Sequence, residues 1–270
     1  MEDDLGDGRS GGVSRGVSGS VEIIKARLNS QYDIVLPKHR ADRPQWYTAE
    51  GWEKERLAAL RNEIIRQKSV GREPVVYYIG AEEGDMAALC QIWGAEVALF
   101  EPNPKVWPNI KAIWEANGLE QPLGMYVGFA SNSTEESPAE LDYDDSARAG
   151  WPECAYGQVI GDHGFRELAY EGAHTRQIRI DDFLMRRSLR PTVISIDVEG
   201  SEWQVLRGAE RLLDDHHPTI FLSGHPEFMF HMFGEYLNDL RRWLRDKGYR
   251  EQLLAYDHEV HLLYAYEGVA

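Results

Sequence analysis

Cysteine is nearly absent, with Cys90 and Cys154 the two present in 270 residues. Two isolated thiols provide neither a disulfide framework nor a zinc-ligand spacing, and the plain expectation is a reducing, cytoplasmic compartment. Long apolar runs are missing too. Nothing approaches the roughly 18 uninterrupted apolar residues of a membrane-spanning helix, so no membrane association is expected. Positive charge is scarce: Lys plus Arg number 29 against 45 for Asp plus Glu, a net charge of −16. That balance disfavours sequence-independent binding to nucleic acid or anionic lipid, whose affinity comes from neutralised phosphates. The first 20 residues are acidic and rich in Gly and Ser, without an apolar core segment, and read as a flexible tail rather than a signal peptide.

What is present is alternation. With 43% apolar residues the chain can bury a full core, as one large domain or one domain with an extension. Residues 21–73 read as an N-terminal extension: a short strand at 32–36, then a long helix that Thr48 can cap, with Leu57, Leu60, Ile64 and Ile65 on one face. Residues 74–270 form the main domain, with strands at 75–79, 96–100 and 124–129 separated by helices at 84–94 and 105–117. Gly118 stands where a helix usually stops. After a gap in the pattern the alternation resumes: strand 177–180, helix 181–187, strand 192–197, helix 201–212, strand 218–223 and helix 233–247. Strands at 250–256 and 259–266 close the chain. This order predicts an α/β fold, a mostly parallel doubly wound sheet with a C-terminal antiparallel hairpin. Between 131 and 165 the pattern fails around Trp151, Tyr156 and His163; the stretch is read as a loop insertion that is either a substrate-contacting segment or a decoration.

The most informative stretch is VVYYIGAEEGDMAALCQIWGAEVALFEPNP, residues 75–104. A buried strand runs into Gly80, Gly84 opens a helix, and a second apolar strand stops at Glu101, 21 positions after Gly80. A carboxylate about 20 residues beyond a glycine turn is placed to accept hydrogen bonds from ribose hydroxyls. The dinucleotide fingerprint needs a second glycine, but positions 81 to 83 are Ala, Glu and Glu, which argues against a nicotinamide-dependent oxidoreductase. Two acids in the turn would repel a pyrophosphate at the helix N-terminus. They suit a ligand bearing a sulfonium and an amino group, which points to S-adenosylmethionine. Solvated acids on an ordinary α/β unit are the plainer alternative.

A second constellation is PTVISIDVEGSEWQVLRGAERLL, residues 191–213. Its strand ends at Asp197, followed by Glu199, on the sheet edge that carries Gly80 and Glu101. Asp197 and Glu199 there can serve as a base, hold an ammonium or bind a divalent cation; favourable charge at a helix N-terminus is the bland alternative. The next strand runs into His225, a candidate base. His225, His231 and His261 match no ligand spacing, so no metal site is predicted, although a divalent cation is compatible with the acids.

With these residues in view, the chain resembles the FkbM-like family of S-adenosylmethionine-dependent methyltransferases, from about Glu73 to Glu267. The resemblance rests on VVYYIGAEEGD with ALFEPNP, on IRIDDFL at 178–184, and on ISIDVEGSEWQVLRGA with the strand leading to HPE. It implies a Rossmann-like methyltransferase fold, S-adenosylmethionine as cofactor, and O-methylation of a hydroxyl on a sugar or other small-molecule or glycan acceptor. By position, the cofactor would touch Gly80, Ala81 and Gly84 and reach Glu101 through its ribose; Glu82 and Asn103 complete the candidate cofactor contacts. Asp197, Glu199 and His225 are the candidate catalytic residues. Three positions depart from the family pattern: Tyr78 stands where an acid is usual, Glu82 where asparagine is usual, and Ser195 where lysine is common. Glu82, Glu83 or Asp85 could supply the missing negative charge. A binding module that keeps the cofactor but has lost turnover is the alternative function.

Overall fold

The computed structural model describes residues 22–42, 51, 53–134, 150–159, 176–184 and 190–268. Its first elements form a hairpin, β1 (Ile23–Leu28) with β2 (Tyr32–Pro37). Asn29 and Ser30 turn the chain in the left-handed region, at φ 52° and 55°. The sequence reading has only the second strand, because β1 buries just one of its residues, Leu28. Helix α1 (Lys38–Ala41) follows directly. The long helix α2 (Lys54–Ser69) starts after Glu53, while Thr48, its expected cap, lies outside the described residues. Leu57, Leu60 and Ile64 are fully buried on its inner face, but Ile65 is exposed.

The alternating core comprises β3 (Val75–Ile79), α3 (Asp85–Ile92), β4 (Glu96–Phe100), α4 (Trp107–Ala116) and β5 (Gly124–Tyr126). The strand expected at 124–129 is two: β6 (Phe129–Ala130) leaves the main sheet and pairs in parallel with β7 (Gln177–Ile178). Within the expected insertion, a 3-10 turn at Glu153–Tyr156 is described, and Trp151 packs edge-on against Trp114 at 6.3 Å. Residues 135–149 and 160–165 of that stretch, His163 included, lie outside the described residues.

The second half runs through α5 (Ile180–Leu184), β8 (Val193–Ile196), α6 (Glu202–Gly208), α7 (Glu210–His216), β9 (Thr219–Gly224), α8 (Pro226–Phe233), α9 (Leu237–Asp246), β10 (Tyr249–Tyr256) and β11 (Val260–Tyr266). The helix expected at 201–212 is broken at Gly208–Ala209, where the Ser131 carbonyl comes so close that a Cβ on Gly208 would lie 1.9 Å from it. Helix α8 was missed because Phe228, Phe230, Met232 and Phe233 are exposed on several sides, which leaves no one-sided period to read. Pro226 presets its first turn and Gly234, at φ 67°, ends it.

The seven-stranded sheet has the order β10-β11-β9-β8-β3-β4-β5, with β11 antiparallel to both of its neighbours and the rest parallel. That is the doubly wound sheet with an antiparallel C-terminal hairpin expected from the sequence. Val76 and Tyr78 of β3 point to one core with α2, α3 and α4, while Val75, Tyr77 and Ile79 point to the other with α5, α6, α7 and α9. From β3 the chain winds outward to β4 and β5, then returns to β8 on the opposite side. The crevice for a ligand in such sheets opens at that reversal, beyond the carboxyl ends of β3 and β8.

Candidate active site

A cavity of about 320 Å³ opens there. Gly80, at φ 82°, lets the two strand ends converge: a Cβ at this position would lie 1.7 Å from the Asp197 carbonyl oxygen. The Gly80 and Ala81 amides both donate to the Phe100 carbonyl, so the turn after β3 is bound to the end of β4. Gly84, at φ 85°, caps α3 and packs against Ile110 and Trp114.

Glu101 leaves the tip of β4 into this cavity and is 7% exposed. One of its oxygens accepts from the Glu82 amide at 2.9 Å and the other from the Asn103 amide at 2.8 Å. Burial pushes the carboxyl up to about 8, with those two amides pulling the other way. The carboxylate is held by its backside bonds with its remaining acceptor capacity free to meet a pair of hydroxyls. Phe100, Met86 and Phe129 supply apolar wall nearby.

The acidic turn is largely neutralised by the short helix α1. Fully buried Arg40 of α1 donates from Nε to Asp85 at 2.8 Å and from Nη2 to Glu82 at 2.8 Å. Glu83 accepts from Asn109 Nδ2 at 3.1 Å and lies 3.2 Å from His39 Nε2. Asp85 is therefore an internal ion-pair partner and Glu83 is held by internal hydrogen bonds, so neither is a spare charge for a ligand, which corrects the reading of the turn as a set of open acids. Glu82, in the left-handed region at φ 49° and with a side chain 46% exposed, keeps a face toward the cavity.

A second buried cation sits behind β3 and β8. Arg56 of α2 bonds Glu53, donates from Nη2 to Ser195 Oγ at 2.7 Å, and stands 3.7 Å from Asp197 Oδ2 and 3.5 Å from the Tyr78 hydroxyl. Tyr78 and Ser195 are register partners across the two strands. The positions where an acid and a lysine were expected are thus neighbours, and the cation there comes from another element. Sequence reasoning missed Arg56, although an arginine on the stripe shared with Leu60 and Ile64 was a visible signal.

Residues 75–251 match the family described as the Methyltransferase FkbM domain. The chain belongs to that family. No curated protein matches it by sequence. Among solved structures, a methyltransferase FkbM from Methylobacillus flagellatus KT is 20% identical with a TM-score of 0.46, over 72% of this chain and 44% of that one. This chain therefore spans under half the length of that protein. A putative caffeoyl-CoA O-methyltransferase from Staphylococcus aureus is 14% identical at TM-score 0.43, over 77% of this chain and 82% of that one. Magnesium protoporphyrin IX methyltransferase from Synechocystis, with bound S-adenosylmethionine, is 13% identical at TM-score 0.42, over 79% and 81%.

In this member of the FkbM family, Gly80, Ala81, Glu82, Glu101, Asn103, Asp197 and Glu199 share the lining of one cavity, joined by Glu53 and Glu259, which sequence reasoning did not single out. Gly84 and His225 are not in that lining. His225 lies behind the acids, with Nδ1 2.6 Å from Glu202 Oε1. Burial alone would lower its pKa, but the Glu202 hydrogen bond and the Glu259 and Asp197 carboxylates outweigh that and push it up to about 11. A charged imidazole cannot take a proton, so His225 as it stands is not the base that its loop position suggested. Burial and Glu53 raise the Asp197 carboxyl well above its ordinary value, against the pull of Arg56. His231 is exposed on α8 and joins neither described cluster of His, Asp and Glu, while His261 is buried against Ser223 at 3.0 Å.

Proposed function

We propose that this chain is an S-adenosylmethionine-dependent O-methyltransferase acting on a hydroxyl of a sugar or other small-molecule or glycan acceptor. The observation that carries the reading is the position of Glu101: a buried carboxylate anchored by two amides at the tip of β4, across one cavity from Asp197 at the tip of β8. The residues present suit the cofactor. Glu101 has acceptor capacity for a ribose diol, Phe100, Met86 and Phe129 offer an apolar wall for a base, and the carboxylates of Glu82, Asp197 and Glu199 face the same space as counter-charges to a cation. The bound cofactor would supply an electrophilic methyl group.

The chain's own part is mainly alignment. Holding an acceptor hydroxyl in near-attack geometry supplies about 7 to 11 kcal/mol of a barrier without any proton transfer. Asp197, with its raised carboxyl, is the group we assign to taking the hydroxyl proton. Arg56 and His225 hold Asp197 from behind, at 3.7 and 3.8 Å. The net charge of −16 supports a neutral or cationic acceptor over a nucleic acid.

The test is calorimetric titration of S-adenosylmethionine into wild type and Glu101→Ala, followed by methyl-transfer assays on hydroxylated acceptors with wild type and Asp197→Ala. Binding lost in Glu101→Ala and turnover lost in Asp197→Ala are expected. Binding with no turnover on any acceptor would favour the binding-module alternative, and no binding at all would overturn both.

A further inference from the structure

Beside the cavity, carboxylates converge on one face of His225. Its Nε2 lies 3.3 Å from Glu259 Oε1, 3.5 Å from Glu199 Oε2 and 3.8 Å from Asp197 Oδ1. Two ligands of a single ion, each about 2.1 Å from it, stand roughly 3 to 4 Å apart, so these separations are those of a ligand set. Donor atoms of Asp197, Glu199 and His225 all fall within 4.8 Å of one another.

Acids alone would not make a site, and the histidine is the independent sign. Its side chain is only 6% exposed, Nε2 makes no hydrogen bond, and the ion takes the place of the proton that the charged imidazole otherwise carries there. Its other nitrogen is fixed at 2.6 Å by Glu202, whose side chain is fully buried. A carboxylate bonded to one imidazole nitrogen so that the other points at a metal is how ligating histidines are oriented. Oε2 of Glu259 is likewise buried without a hydrogen bond. Glu199 is delivered by a turn in the left-handed region, at φ 50°, a conformation that costs a non-glycine residue energy and tends to persist where geometry serves a site.

We propose that His225, Asp197 and Glu199 bind one divalent transition-metal cation at the edge of the cavity, with Glu259 beside them. One imidazole with two carboxylates suits an ion of the Mn²⁺ or Zn²⁺ kind better than Ca²⁺ or an all-thiolate metal. The site is incomplete on the side of Asp197, Glu199 and Glu259 that faces the cavity, where a further oxygen ligand can enter. If the methyltransferase reading holds, that ligand is the acceptor's hydroxyl, oriented and acidified by the ion.

Metal binding is measured without cofactor or acceptor, so its outcome is separate from that reading. The full chain, stripped with chelator, is titrated with Mn²⁺ followed by electron paramagnetic resonance, and with Zn²⁺ followed by calorimetry. One ion per chain is expected, weakened at least tenfold by His225→Ala and by Glu199→Gln, and 10- to 100-fold by Glu202→Gln, which keeps the ligands and removes the orienting charge. Glu199 is largely exposed, so its variant reports on the ion even if His225→Ala fails to fold. The neighbouring Asp257, His258 and His261 group is the competing location, and His258→Ala should leave binding intact. The proposal is overturned if neither ion binds saturably, if Glu199→Gln leaves binding unchanged, or if binding is lost in His258→Ala alone.

Discussion

At the scale of single residues, Glu101 makes the sharpest demand. Its carboxyl is raised to about 8 from an ordinary 4.5 by burial. The protonated form is favoured on folding, so this group's contribution to stability is full below about 4.5 and is lost as pH rises through 8. Ligand binding runs the other way. A ribose diol donates to the ionised carboxylate, so affinity for S-adenosylmethionine should rise from pH 6 to about 8 and then level, approaching tenfold per pH unit on the acid side. Calorimetry across that range checks it, and a flat profile that Glu101→Gln reproduces would remove Glu101 from the binding site. Truncation to Ala removes charge-assisted hydrogen bonds of about 1.5 to 3 kcal/mol each, so at least a tenfold loss of affinity is expected.

Between elements, the fold depends on one close approach and one buried charge. At Gly80 a methyl group would meet the Asp197 carbonyl at 1.7 Å on a backbone already at φ 82°. Gly80→Ala should therefore destabilise the protein by about 3 kcal/mol or more and abolish cofactor binding, seen as a large fall in Tm; a variant with wild-type Tm would show that β3 and β8 are not pinned here. Arg56 joins α2 to both strands, and Arg56→Met leaves Glu53 and Asp197 without their cation, a loss of about 3 to 5 kcal/mol for a broken buried pair. Adding Ser195→Lys returns a cation from the strand itself and should recover part of the Tm; no recovery would mean that the guanidinium's several bonds, not its charge, hold the junction. Such dependence explains what was legible in the sequence. Strands β3 and β4 were readable to the residue because uninterrupted apolar runs bounded by Gly80, Gly94 and Glu101 have one solution in a parallel sheet. The partners of Arg40 and Arg56 were not, since pairing across 42 to 139 positions of sequence leaves no local period; only the place of Arg56 on the apolar stripe of α2 was visible. Helix α8 escaped for the opposite reason: of its apolar side chains Met229 is buried while Phe228, Phe230, Met232 and Phe233 face solvent, so burial gives it no pattern.

Over the whole molecule, net charge and cavity charge have the same sign. The chain carries −16, and the acids Glu82, Asp197, Glu199 and Glu259 face the cavity while the cations that neutralise part of this charge, Arg40 and Arg56, are buried behind it. A ligand with a fixed positive charge gains from this field twice: from the nearby carboxylates, which salt screens little, and from the distant surface charge, which salt screens strongly. S-adenosylmethionine differs from S-adenosylhomocysteine by its sulfonium charge. It should therefore bind several-fold tighter at low salt, and the preference should shrink without vanishing as ionic strength goes from about 0.01 M to 1 M, where the screening length falls from about 30 Å to 3 Å. Parallel titrations of the two ligands at both salt concentrations separate the parts: the residual preference at high salt reports the cavity acids, and the difference reports the surface. Equal affinities at both salt levels would mean that the cavity acids are protonated or paired when the ligand is bound, leaving recognition to Glu101 and the apolar wall.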